Sequence, residues 1–135
     1  MVECNGRGAA PPATLAEFTL NGANGMDFFD VSLVDGYNLP MMVVPQGESG
    51  GNCNVTGCMA DLNKNCPSEL RLTGAGESVA CRSACEAFGD PMYCCSGAYS
   101  TSQTCNPTSL SQYFTCSSSP NYVITFYPTP ANRYI

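Results

Sequence analysis

Cysteine sets the first constraint: ten of them fall in a chain of 135 residues. At that density a small chain usually carries a disulfide framework, made in an oxidising compartment. The other uses of clustered cysteine are zinc ligation and buried thiols. Zinc fits poorly, because there is no histidine and no CxxC pair; the nearest spacings are Cys53-x4-Cys58 and Cys81-x3-Cys85. No metal site is expected. Pairing is a separate matter, since ten cysteines admit far more connectivities than spacing can decide between. The length suits one domain, and a chain of this size buries roughly two thirds of the surface its unfolded form exposes. Disulfides therefore supplement a core rather than replace it.

The cysteines are unevenly spread. Nine of the ten lie between Ser49 and Pro120, in a stretch rich in Ser, Asn and Gly. On both sides of it the pattern is that of strands. In LAEFTL (15–20), Leu15, Glu17 and Thr19 alternate with Ala16, Phe18 and Leu20, which puts Glu17 on the less apolar face of a half-buried strand. NGANG (21–25) is a turn cluster. In FFDVSLV, Val31 and Leu33 share one face while Asp30 and Ser32 share the other. Asp35-Gly36 signals a turn, MMVVP (41–45) reads as a third strand, and NYVITFYP (121–128) as a returning one. Residues 1–13, rich in Gly, Ala and Pro, read as loop. The expected organisation is β-sandwich strands over 1–48, a disulfide-rich loop and helix region over 49–120, and a returning strand with a C-terminal tail over 121–135. Within the middle region the best helix candidate is 78–88, capped by Ser78, stopped by Gly89, and carrying Cys81 and Cys85 on one face. TSLSQYF (108–114) is a second, shorter one.

Eleven acids against five bases give a net charge of −6, which argues against nucleic acid and anionic membrane surfaces as partners. An acidic groove for a neutral polymer remains compatible. The longest apolar run, Met41 to Pro45, is strand-sized, so no membrane-spanning segment is expected. MVECNGRGAAPP lacks a basic segment followed by an apolar run, and no signal peptide is read there. Without histidine there is no Ser/His or Cys/His nucleophile; no phosphate-binding glycine motif appears, and no cofactor is expected. Asn54-Val55-Thr56 is an N-glycosylation sequon.

PPATLAEFTLNG, DFFDVSLVDGYNLPM, GCMADLNKNCPSEL, CRSACEAFGDPMYCCSGAY and NYVITFYP, in that order, resemble the plant thaumatin-like proteins, the pathogenesis-related group allied to thaumatin. The resemblance covers about Cys4 to Pro130. It implies a mainly β fold, a thaumatin-like antiparallel sandwich with a disulfide-rich, partly helical excursion. Against the family pattern the chain reads as truncated at the N-terminus and internally deleted. The strands that precede PPATLAEF in the family have no counterpart, SQYF runs directly into TCSSSPNYVITF, and Tyr127 stands where the family has a cysteine. The family's pairing, carried over position by position, implies Cys53–Cys116, Cys66–Cys81, Cys85–Cys94 and Cys95–Cys105. Cys4 and Cys58 are left to pair with each other, stay free or cross-link two chains.

The resemblance also implies a cleft lined by one Arg, one Glu and three Asp, of which Glu17, Asp30 and Asp35 are the matching acids here. Paired carboxyls suit glycoside hydrolysis, one protonated to donate to the leaving oxygen and one ionised to attack or activate water. Glu17 is then the preferred proton donor, Asp30 its catalytic partner, and Asp35 a substrate-binding group. Each has a plainer reading. Asp35 suits a turn before Gly36, and Asp30 suits the wet face of a sheet. Glu17 is harder to account for locally, because Glu is depleted in strands. Without the family's Arg, three like charges repel one another, so binding is expected ahead of turnover. The implied function is defence against fungi by binding β-1,3-glucan of their walls, as a monomer, with weak or absent endo-β-1,3-glucanase activity and a secreted or vacuolar location. The alternatives are a non-catalytic inhibitor or structural member, and an incomplete gene product without independent function.

Overall fold

The fold was read from a computed structural model, which describes residues 6, 8, 10–47, 53–101, 103–105, 114–117 and 121–127. Among the described residues eight strands run in chain order: β1 (Leu15–Thr19), β2 (Met26–Ser32), β3 (Met41–Gln46), β4 (Thr56–Cys58), β5 (Arg71–Gly74), β6 (Glu77–Cys81), β7 (Phe114–Ser117) and β8 (Asn121–Phe126). Two short helices, α1 (Ala84–Phe88) and α2 (Pro91–Cys94), follow β6. The strands form two three-stranded sheets, ordered β1-β2-β7 and β4-β3-β8, and a hairpin, β5-β6. Every pairing is antiparallel. The fold is mainly β with little helix, as expected of a thaumatin-like sandwich.

The period-two alternation decides which faces meet. Phe29, Val43 and Cys116 are fully buried, with Ala16, Phe18, Val31, Phe114 and Tyr122 packed around them. These are the alternate positions of β1 and β2, joined by β3, β7 and β8, so the core lies between the two three-stranded sheets. Its centre is aromatic: the Phe29 ring lies 6.1 Å from Phe18, 5.9 Å from Phe114 and 5.1 Å from Tyr122. Pro45 is tolerated in β3 because β4 pairs only with Met41–Val43, leaving Pro45 beyond that ladder. Strands β4 and β7, both inside the cysteine-rich stretch, join the two sheets.

Four disulfides join described residues: Cys53–Cys116, Cys66–Cys81, Cys85–Cys94 and Cys95–Cys105. Cys53–Cys116 closes 63 residues of separation and enters the core through Cys116. Cys58 is free and exposed, while Cys4 lies outside the described residues.

The helix expected over 78–88 is half strand. Ala75 and Gly76 both have positive φ, 52° and 84°, the signature of a two-residue hairpin turn whose twist matches its strands. That turn folds β6 back on β5, and Cys81 exchanges backbone hydrogen bonds of 2.7 Å with Tyr37 on its other side. Those ladders satisfy the backbone groups that a helix from Ser78 would have used. The helix begins only at Ala84, where the Ser83 side chain accepts from the Glu86 N–H at 3.0 Å, and it stops at Gly89. Cys81 and Cys85 therefore sit on different elements, a strand and a helix, and pair separately. A second cap follows, with the Asp90 side chain accepting from the Met92 N–H ahead of Pro91. Of the shorter helix candidate, 108–113 lies outside the described residues and Phe114 opens β7.

Candidate functional site

The β1–β2 ladder brings two of the three singled-out acids together. Its register pairs Glu17 directly with Asp30, and residues opposite one another in an antiparallel ladder project to the same face with Cβ atoms roughly 4.5–5.5 Å apart. Because Ala16, Phe18, Phe29 and Val31 take the core side, Glu17 and Asp30 take the outer side of this sheet. The pairing is held at both ends. At the turn, Gly22 N–H donates to Met26 O at 2.7 Å and Asn21 N–H to the Asp27 carboxylate at 2.8 Å. At the start of β1, Thr14 N–H donates to Asn38 Oδ1 at 3.0 Å and the Thr14 hydroxyl to Leu39 O at 3.0 Å.

The two carboxyls have different surroundings. Glu17 is exposed, on the edge strand of its sheet. Asp30 is on the central strand, 1 % exposed, and neither carboxyl oxygen has a hydrogen-bond partner. The wet-face reading of Asp30 is thus wrong: its face is polar by sequence but buried at this position, as is Ser32 beside it. Burial, and then the neighbouring Glu17 charge, push the Asp30 carboxyl above its ordinary value.

Asp35 is placed differently. It is exposed on the turn closed by Gly36 N–H donating to Leu33 O at 3.0 Å, beyond the end of β2, and its backbone carbonyl accepts from Ala13 N–H at 2.8 Å. Gly36 explains the dipeptide, since its φ is +88° and a Cβ there would lie 2.6 Å from both Cys81 O and the Pro12 side chain. The ladder register does not set Asp35 over Glu17. Asn54 is exposed just ahead of β4.

Asp27 was missed by sequence reasoning. It is buried on the core side of β2, where its second oxygen accepts from the Tyr122 hydroxyl on β8 at 2.9 Å. Burial and this carboxylate push the Tyr122 phenol up to about 12. The alternation pattern offered a signal, since Asp27, Phe29 and Val31 share a face, and an acid on an apolar face needs a partner. Among the described residues no group of His, Cys, Asp and Glu is placed to hold a metal ion, and no helix is long and apolar enough to cross a membrane.

The Thaumatin family model matches residues 1–127. The chain belongs to the thaumatin family. Among curated thaumatin relatives, it is 54% identical over 130 residues to Thaumatin-like protein 1 of Arabidopsis thaliana, covering 93% of this chain and 49% of that one. It is 49% identical over 147 residues to a protein of Prunus avium named Glucan endo-1,3-beta-glucosidase, covering 94% of this chain and 60% of the relative. Thaumatin-like protein 1 of Castanea sativa is 48% identical with the same coverage. The chain thus spans about half to three fifths of the length of these relatives. The four disulfides fit the oxidising compartment in which such proteins are typically found.

Proposed function

We propose that this thaumatin-like protein binds β-1,3-glucan on the outer face of the β1-β2-β7 sheet, through Glu17 and with Asp35 at its margin, and hydrolyses it weakly or not at all. The observation that carries the reading is the register pairing of Glu17 with Asp30, which sets an exposed carboxylate on a rigid ladder. A fixed carboxylate accepts hydrogen bonds from sugar hydroxyls, which are neutral, so the net charge of −6 is no obstacle. The Prunus avium relative's name supplies the substrate class.

Poor turnover follows from accessibility. Hydrolysis needs two carboxyls flanking the scissile bond, roughly 5–5.5 Å apart for retention or 6.5–9.5 Å for inversion. With Asp30 only 1 % exposed, Glu17 alone of the cross-strand pair reaches a bound chain. A secreted, monomeric antifungal role is the biological form of this reading, with Asn54 as a candidate glycan acceptor. Sedimentation with insoluble β-1,3-glucan tests the binding, and reducing-sugar release tests the chemistry. Wild type should sediment with the polymer and Glu17→Gln much less, while sugar release stays near the blank. Sedimentation unaffected by Glu17→Gln contradicts the site, and robust release contradicts the accessibility reasoning.

A further inference from the structure

Asp30 holds the least ordinary position of any acid in the described chain. It is 1 % exposed and both its oxygens lack a hydrogen-bond partner. Two influences act on it, burial and the like charge of Glu17 on the paired strand, and no cation is among them. On β2 itself, Asp27 faces the core. A buried carboxylate with no donor and no counter-charge is costly, and such a group takes up a proton instead.

Resting on the glucan-binding reading, we infer that Asp30 is a positioning residue for Glu17, a buried neutral carboxylic acid seated against it across the β1–β2 ladder, and not itself a ligand of the glucan. In neutral form Asp30 becomes a donor. The acceptor opposite it is the Glu17 carboxylate, and an O–H···O⁻ bond is among the stronger kinds. That bond restrains the long Glu17 side chain on its edge strand, so less rotamer freedom is lost when a sugar binds. Burial and the Glu17 charge raise the Asp30 carboxyl, the direction that favours its proton-bearing form.

Two arms test the inference. The first is a 13C carboxyl titration of the uncomplexed protein by NMR, which needs neither glucan nor a variant. Asp30 should keep its proton after the ordinary carboxyls have lost theirs; titration among them overturns the inference whatever the protein binds. The second arm compares Asp30→Asn and Asp30→Ala for binding to a soluble β-1,3-gluco-oligosaccharide, alone and on a Glu17→Gln background. Asp30→Asn keeps a donor of the same shape and should bind within about threefold of wild type. Asp30→Ala should lose about tenfold, the scale of one good hydrogen bond, and should lose nothing further once Glu17→Gln is present. Loss by Asp30→Asn as large as by Glu17→Gln, or additive losses in the double variant, makes Asp30 a direct ligand and overturns the inference. A wild type that binds no oligosaccharide sinks the glucan reading and, with it, the positioning role, even where the titration finds Asp30 neutral.

Discussion

Removing the Asp27 carboxylate should loosen the two sheets from each other. Asp27 accepts from Asn21 N–H at 2.8 Å and from the Tyr122 hydroxyl at 2.9 Å, so one side chain ties the β1–β2 turn to β8 in the opposite sheet. Asp27→Ala strands both donors. Each stranded buried donor costs about 1–3 kcal/mol; Asn21 is exposed and Tyr122 half-buried, which favours the lower end, for a loss of about 2–3 kcal/mol. Tyr122→Phe removes one bond to an acceptor that keeps its other partner, and should cost about 1.5 kcal/mol. In the double variant the phenol is no longer stranded, so its loss should fall short of the sum by about 1 kcal/mol. Urea denaturation of the four proteins with disulfides intact supplies the cycle. Strict additivity, or a loss under about 0.5 kcal/mol for Asp27→Ala, refutes the reasoning.

Replacing Cys53 and Cys116 by alanine frees a loop of 63 residues of separation and should cost about 4 kcal/mol in the chain-entropy picture, against about 2.5 for Cys85 and Cys94, nine apart; thermal melts rank the two. Gly36→Ala should destabilise by about 2 kcal/mol or more, because φ is +88° and the new Cβ meets the Cys81 carbonyl at 2.6 Å. Equal stability of that variant in urea would mean the turn relaxes freely. Asp30 makes folding favour acid: with its folded pKa raised above the unfolded value, its share of stability is complete below the unfolded pKa and is lost as pH rises through the folded one. Denaturation midpoints across pH should show this decline in wild type and a flatter profile in Asp30→Asn.

The sandwich was legible because burial on one face writes a period of two into the sequence. Ala16, Phe18 and Val31 pointed inward as read, and β8 pairs with β3 although some eighty residues of chain intervene. The hairpin at 71–81 was not legible in the same way. Ser78 and the alanines after it have acceptable helix propensity, and only Ala75-Gly76 and the non-local bridge from Tyr37 to Cys81 decide for a strand. Tertiary pairing of this kind overrides local preference. At the candidate site, alternation placed Glu17 and Asp30 on outer faces, but neither spacing nor composition reports that a central strand buries one while an edge strand exposes the other. The Asp27–Tyr122 contact joins residues 95 apart in sequence, beyond the reach of any local pattern.

The central claim is that glucan meets the outer face of the β1-β2-β7 sheet at Glu17. Backbone amide shifts of the 15N-labelled protein, followed as a β-1,3-gluco-oligosaccharide is added, test it most directly. The account predicts saturable shifts clustered on Ala16–Phe18, Phe29–Val31 and the Leu33–Gly36 turn, absent in Glu17→Gln. Shifts centred on β3, β4 and β8, or the same map retained in Glu17→Gln, would contradict it.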